Sequence, residues 1–226
     1  MRRNTISTVT FFLILSILLP IFTCTASAEN TGTKKKIALT FDDGPHPRYT
    51  DEILDILSEY NIKATFFVIG INAEYYPKQL KREVREGHEI GNHTYSHPHM
   101  KSLDAAATRE QILKCQKVIT DLTGKPPKLF RPPEGFCTTC TSTVMKECGF
   151  TPVLWNIDTR DWAGTSVDAI VNNVKNGAGS GKIILFHDYV SCKNSTIPAL
   201  RILIPYLLKQ GYEFCTVSEL YESMHG

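Results

Sequence analysis

Along most of this chain short apolar runs alternate with helical patterns, and that alternation limits the possible folds more than any other feature. Strand-like runs are expected at 36–41, 64–69, 88–92, 128–131, 150–155, 182–186 and 212–217. Helical patterns lie between them. In 51–60, Ile53, Leu54, Ile56 and Leu57 share one face behind Thr50, which is expected to be the N-cap. A longer helix starts at Asp104, repeats Ile112, Leu113, Val118, Ile119 and Leu122 at helical spacing, and stops at Gly124. Segments 166–178 and 197–210 read as further crossover helices, the second bent or interrupted at Pro205. Parallel strands require such crossovers, and about seven units in one domain predict a distorted (β/α) barrel with its active site at the strand C-terminal ends.

The chain opens with what reads as a signal peptide over residues 1–28. Arg2 and Arg3 supply the positive start, Phe11 to Leu19 an apolar core broken by Pro20, and Ala26-Ser27-Ala28 a small-residue cleavage site. Residues 29–36 form a short lead-in, and 37–226 form one domain. The leader holds two arginines and no acidic residue, so the remainder balances 23 basic against 23 acidic side chains. That balance excludes a basic nucleic-acid footprint and a polybasic membrane patch. The mature protein is expected to be secreted, at or near the cell wall, monomeric, and without stable membrane insertion.

Six cysteines follow the leader: Cys115, Cys137, Cys140, Cys148, Cys192 and Cys215. An even count in an exported chain is compatible with disulfides, and a bridge between Cys137 and Cys140 is the economical expectation for the C-x-x-C spacing. A zinc knuckle is disfavoured because no second C-x-x-C completes it.

The polar residues that interrupt the apolar pattern fall just after the expected strands. Ile37-Ala38-Leu39-Thr40-Phe41 runs into Asp42-Asp43-Gly44-Pro45, which delivers two adjacent carboxylates to a loop. Adjacent carboxylates repel and need a metal or an arginine beside them. His93 and His97 follow the third strand, Arg131 ends the fourth, Asp158 and Asp161 follow the fifth, and His187 follows the sixth. In a β/α barrel these positions share one face. His93 and His97 form an H-x-x-x-H pair that Pro98 biases toward a looped chelate. With a carboxylate from Asp43 they complete a site with open positions, which suits catalysis. Zinc is the first choice, and cobalt or manganese fits the same donors.

Thr40-Phe41-Asp42-Asp43-Gly44-Pro45, His93 to His97, Arg131-Pro132-Pro133, Asp158-Thr159-Arg160-Asp161-Trp162 and Leu185-Phe186-His187-Asp188 together resemble, in order, the motifs of NodB-type polysaccharide deacetylases, carbohydrate esterase family four. The resemblance runs from about Lys35 to the end. It implies that Asp43, His93 and His97 hold the metal while Asp42 is the general base and His187 the general acid. It further implies that Asp161 orients His187, Arg131 fixes the Asp42 carboxylate, and the backbone N–H of Glu134 stabilises an oxyanion. Trp162 and Leu185 are expected to wall the pocket around the acetyl methyl, and Asp158 to support the site or cap a turn.

Glu134 departs from the aromatic that many relatives carry after Arg-Pro-Pro. A charged residue there resembles the peptidoglycan-acting part of the family, so Glu134 is expected to line the cleft and tune recognition. The activity implied is removal of N-acetyl groups from a β-1,4-linked N-acetylhexosamine polymer, most simply peptidoglycan N-acetylglucosamine. Chitin oligomers, acetylated xylan and a catalytically dead glycan-binding module are the rival readings. His46, His88 and His99 are expected to be surface or structural.

Overall fold

Residues 35–191 and 193–225 are described by the computed structural model, so the expected signal peptide and Cys192 lie outside the described residues. In chain order the first half comprises β1 (Lys35–Asp42), α1 (Tyr49–Glu59), β2 (Thr65–Val68), α2 (Gly70–Tyr75), α3 (Pro77–Arg85), β3 (Glu89–Asn92), α4 (Ala105–Thr123) and β4 (Leu129–Phe130). The second half comprises α5 (Thr139–Glu147), β5 (Thr151–Pro152), β6 (Ile157–Asp158), α6 (Val167–Gly177), β7 (Lys182–His187), α7 (Thr196–Lys209), β8 (Tyr212–Phe214) and α8 (Val217–His225).

Every strand pairing is parallel, in the order β5-β4-β3-β2-β1-β7-β6. β7 follows β1 from Ile37 to Asp42, while the opposite edge of β1 is shared by β8 at Lys35–Ile37 and β2 at Thr40–Asp42. The result is the distorted (β/α) barrel, with eight short strands and an opening between the path ends β5 and β6. β1 extends the run expected at 36–41 by one residue at each end, to Lys35 and Asp42.

The period of the strand sorts its side chains between two cores. Ile37, Leu39 and Phe41 join Phe66, Ile184 and Phe186 and the buried faces of α1 and α7 in the larger core. Full burial of side chains of this size stabilises by roughly 1.5–3 kcal/mol each. Ala38, Phe67, Ile183, Leu129 and Val153 form a smaller core with Val217 and Leu220 of α8. Thr40 and Asp42 lie on the same strand face as Ala38, so small residues line the interior until a carboxylate appears at its upper end.

Several local expectations change. Of the strand expected at 150–155 only Thr151–Pro152 forms, as β5, and a separate strand, β6, follows at Ile157–Asp158. Past β5 the carbonyls of Val153 and Leu154 accept hydrogen bonds from Arg131 Nε and Nη2, both at 3.3 Å. Thr50 does not cap α1 but lies buried within it. Leu113 is exposed, whereas Ile112 and Ile119 are buried. Pro205 sits inside an uninterrupted α7. Asp104 and Gly124 do bound α4, the first accepting the Ala107 N–H at 2.8 Å and the second adopting φ 75°. Among the described residues no helix is long and apolar enough to cross a membrane.

Candidate active site

Asp42 is the last residue of β1, and its neighbour Asp43 adopts φ 73°. This left-handed backbone costs conformational energy in a non-glycine residue. It also sends adjacent carboxylates to different partners. Asp42 Oδ1 accepts a hydrogen bond from Arg131 Nη1 at 2.7 Å. Arg131 is fully buried, gives a second bond from Nη1 to Thr40 Oγ1 at 2.8 Å, and lies over the Phe67 ring at 4.1 Å. A buried guanidinium needs this full complement, because desolvation is repaid only by near-complete pairing.

Asp43 Oδ1 lies 3.4 Å from both His93 Nε2 and His97 Nε2. The tautomer of His93 follows from its other nitrogen: Nδ1 is 2.7 Å from the Arg131 carbonyl, which can only accept, so Nδ1 carries the hydrogen and Nε2 offers a lone pair. Asp43 Oδ1 is buried and has no hydrogen-bond partner. An orphaned carboxylate oxygen facing two imidazole nitrogens fits a divalent cation, and among the described residues only this trio gathers three such donors. Burial would raise the Asp43 pKa, but the adjacent His93 and the charges of His187 and His97 outweigh it and lower it. Burial likewise opposes the positive charge on His93, yet Asp42 and Asp43 raise its pKa.

On the opposite wall, His187 at the end of β7 donates from Nδ1 to Asp161 Oδ1 at 2.7 Å. Asp161 Oδ2 accepts the His187 backbone N–H at 2.8 Å and the Thr196 hydroxyl at 2.6 Å, so the carboxylate is rigidly set. Burial would lower the His187 pKa, but the hydrogen bond and charge of Asp161, followed by Asp43 and Asp42, raise it to about 9.

These groups surround a cavity of about 510 Å3 lined by the three candidate donors, Asp42, His187, Glu134, Asp158, Trp162 and Leu185. Phe136 and Trp155 also line it and were missed from sequence. Gly135 could have signalled Trp155, since a Cβ there would lie 2.8 Å from the indole. A second concavity of about 410 Å3, lined by Asn72, Ser96 and Tyr189, continues past Asp43 and His97. Arg131 and Asp161 stand behind the lining residues.

Glu134 has φ 58°, and its carboxylate pairs with His99 Nδ1 at 2.9 Å. His99, expected to be surface or structural, is exposed and engages a residue of the cleft. Asp158 Oδ1 accepts the Arg160 N–H at 2.9 Å, a turn cap made at the cavity wall. His88 is structural, accepting the Ala64 N–H at 3.2 Å.

The Cys137–Cys140 bridge is not formed: Cys115, Cys137, Cys140, Cys148 and Cys215 are free thiols. Thr138 is extended and caps α5, which leaves Cys137 exposed ahead of the helix and places Cys140 in its first turn.

A candidate divalent-cation donor set and a buried histidine–aspartate pair lining one cavity at the strand C-terminal ends have the layout of a metal-dependent hydrolase. The polysaccharide deacetylase family model matches residues 29–153. The chain belongs to that family, whose members are divalent-metal enzymes. It is 43% identical over 199 residues to a peptidoglycan-N-acetylglucosamine deacetylase of Bacillus cereus, covering 87% of this chain and 93% of that protein. A chitooligosaccharide deacetylase of Bradyrhizobium is 33% identical over 215 residues, covering 90% and 98% of the two chains. The solved Bc1960 peptidoglycan N-acetylglucosamine deacetylase superposes with a TM-score of 0.80 at 41% identity, covering 83% of this chain and 88% of that one.

Proposed function

We propose that this protein, secreted after cleavage behind Ala28, removes the N-acetyl group from N-acetylglucosamine of peptidoglycan and releases acetate. The observation that carries the reaction is the placement of Asp42 and His187 around one cavity that also holds Asp43, His93 and His97. A divalent cation bound by those three side chains, for which zinc is the first choice, supplies Lewis-acid polarisation and acidifies water.

The chain's own groups supply the proton transfers. Asp42, oriented by Arg131, takes a proton from the water whose oxygen adds to the acetyl carbon. The carbonyl oxygen gains the negative charge, and the Glu134 N–H is proposed as its donor. His187 gives a proton from Nε2 to the sugar nitrogen as the carbon–nitrogen bond breaks, leaving an amine and acetate. Its raised pKa keeps that proton available near neutral pH. Asp161 holds the ring through Nδ1, and Leu185 and Trp162 provide an apolar wall for the acetyl methyl.

A groove that continues past the metal donors suits a polymer, and the B. cereus relative supports peptidoglycan as that polymer. The Bradyrhizobium relative supports chitin oligomers as the second reading. The test is acetate release by the mature protein, stripped of metal and reloaded with zinc or cobalt, on peptidoglycan, chitin oligomers and acetylated xylan in parallel. Metal-restored release from peptidoglycan above the others is the expected result. Release from chitin oligomers alone transfers the assignment to the second reading, and metal binding without release from any polymer overturns deacetylation of these glycans.

A further inference from the structure

Asp188 immediately follows the proposed acid His187, yet it faces away from the cavity and into the base of the loop carrying Asp42 and Asp43. Its backbone N–H donates to the Asp42 carbonyl at 3.2 Å. Its Oδ2 accepts the Thr50 hydroxyl at 2.5 Å, a contact spanning 138 residues of sequence. Thr50 Oγ1 in turn accepts the His46 N–H at 2.7 Å. The carboxyl also occupies the space beside Gly44, where a Cβ would lie 2.1 Å from Oδ2 and 2.3 Å from Oδ1. Asp188 therefore touches the whole Asp42–Thr50 segment, its backbone meeting the start and its side chain the middle and the end.

Asp188 is fully buried, and its Oδ1 has no hydrogen-bond partner. Burying a carboxyl with one oxygen unserved is costly, so its placement needs a reason beyond stability. The strained backbone of Asp43 supplies one, because a left-handed non-glycine residue persists only where its surroundings over-determine it. Asn72 Nδ2 holds the Asp43 carbonyl at 2.7 Å and the Ile69 N–H holds the Gly44 carbonyl at 3.0 Å on one side. Asp188 holds the other.

We infer that Asp188, acting with Thr50, is a positioning residue for the deacetylation: it fixes the turn that aims Asp42 at Arg131 and Asp43 at His93 and His97. The inference rests on the reading of that loop as carrying the base and a metal ligand. It assigns the pair no contact with substrate or metal.

The experiment uses the full mature chain as Asp188→Ala, Asp188→Asn, Thr50→Val and Thr50→Ser. Cobalt affinity and the visible spectrum of the cobalt protein are measured beside kcat and KM, with thermal melting as the control for folding. Asp188→Ala and Thr50→Val are expected to weaken cobalt binding, alter its spectrum and lower kcat by about 10- to 100-fold, since small misplacements cost that much. KM should change by less than about twofold. Asp188→Asn and Thr50→Ser, which keep the acceptor and the hydroxyl, are expected to restore most of each signal. If Asp188→Ala does not fold, Thr50→Val carries the test, because it keeps the volume. Wild-type cobalt affinity, spectrum and kcat in folded Thr50→Val would overturn the inference, as would an Asp188→Asn protein as impaired as Asp188→Ala. Cobalt binding needs no glycan, so altered spectra without turnover on any polymer would remove the proposed substrate and leave the clamp standing.

Discussion

Asp42 and Asp43 are neighbours of one residue type, and their different contacts, on which the separate tasks proposed for them rest, come from backbone direction. Asp42 ends on a buried guanidinium at 2.7 Å, while Asp43 turns through φ 73° toward two imidazoles. Single substitutions should therefore separate the two functions. Asp42→Asn is expected to keep its metal, measured by zinc content after dialysis, and to lose activity by about a hundredfold or more, the scale of a general base. His93→Ala is expected to lose both metal and activity. Equal metal loss in the two variants would mean that the roles of Asp42 and Asp43 are exchanged. Both residues stood out in the sequence because an apolar strand ending in two charges has no packing explanation. Asp188 did not, since its partner Thr50 lies far along the chain and looked like an ordinary helix cap.

At the scale of elements, α1 begins with an unusual cap. His46 Nδ1 accepts the backbone N–H groups of Arg48 at 3.1 Å and Tyr49 at 3.0 Å, and its ring stacks on Tyr49. An accepting nitrogen must be unprotonated. Burial and then the charge of Arg48 lower the His46 pKa below its ordinary value, in keeping with that role. The stability from this cap is thus complete above the unfolded pKa of about 6.5 and is lost as pH falls through the lower folded value. Amide exchange at Arg48 and Tyr49 should show protection that drops between about pH 7 and pH 5, with a cap of this kind contributing about 1 kcal/mol. In His46→Ala the two amides should be unprotected at both pH values; pH-dependent protection persisting there would exclude His46 as its source. The long elements β1, α4, α6, β7 and α7 were legible because periodicity accumulates over many residues. The two-residue strands β4 and β5 fall inside the runs expected at 128–131 and 150–155, whereas β6 lies beyond the second run, since two residues give no period to detect and its pairing with β7 joins segments distant in sequence.

Across the whole molecule, the groups assigned to chemistry and one of the main latches of the fold sit at opposite ends of the strands. The proposed base, acid and metal donors follow strand C-terminal ends. At the N-terminal ends of β2 and β3, Glu89 accepts the Thr65 hydroxyl at 2.9 Å and the Ser218 N–H at 3.2 Å, and also the Ser218 hydroxyl. That carboxylate ties α8 beneath the smaller core, where Val217 and Leu220 cover Ala38, Phe67 and Ile183. Motif inspection singles out the upper end alone, because Glu89, Thr65 and Ser218 are ordinary surface types until the topology brings them together. The division predicts that stability and turnover can be changed separately. Glu89→Ala should lower unfolding free energy in urea by about 1–3 kcal/mol, the usual penalty for leaving the buried Thr65 hydroxyl and the half-buried Ser218 without their acceptor. Below its unfolding transition the variant should release acetate with the kcat of the parent chain, since Asp42, His187 and the cation donors keep their own supports. A lower kcat in protein that is still folded would show instead that the seat of α8 reaches the upper rim, with Arg131, between the two ends, as the side chain to examine for the coupling.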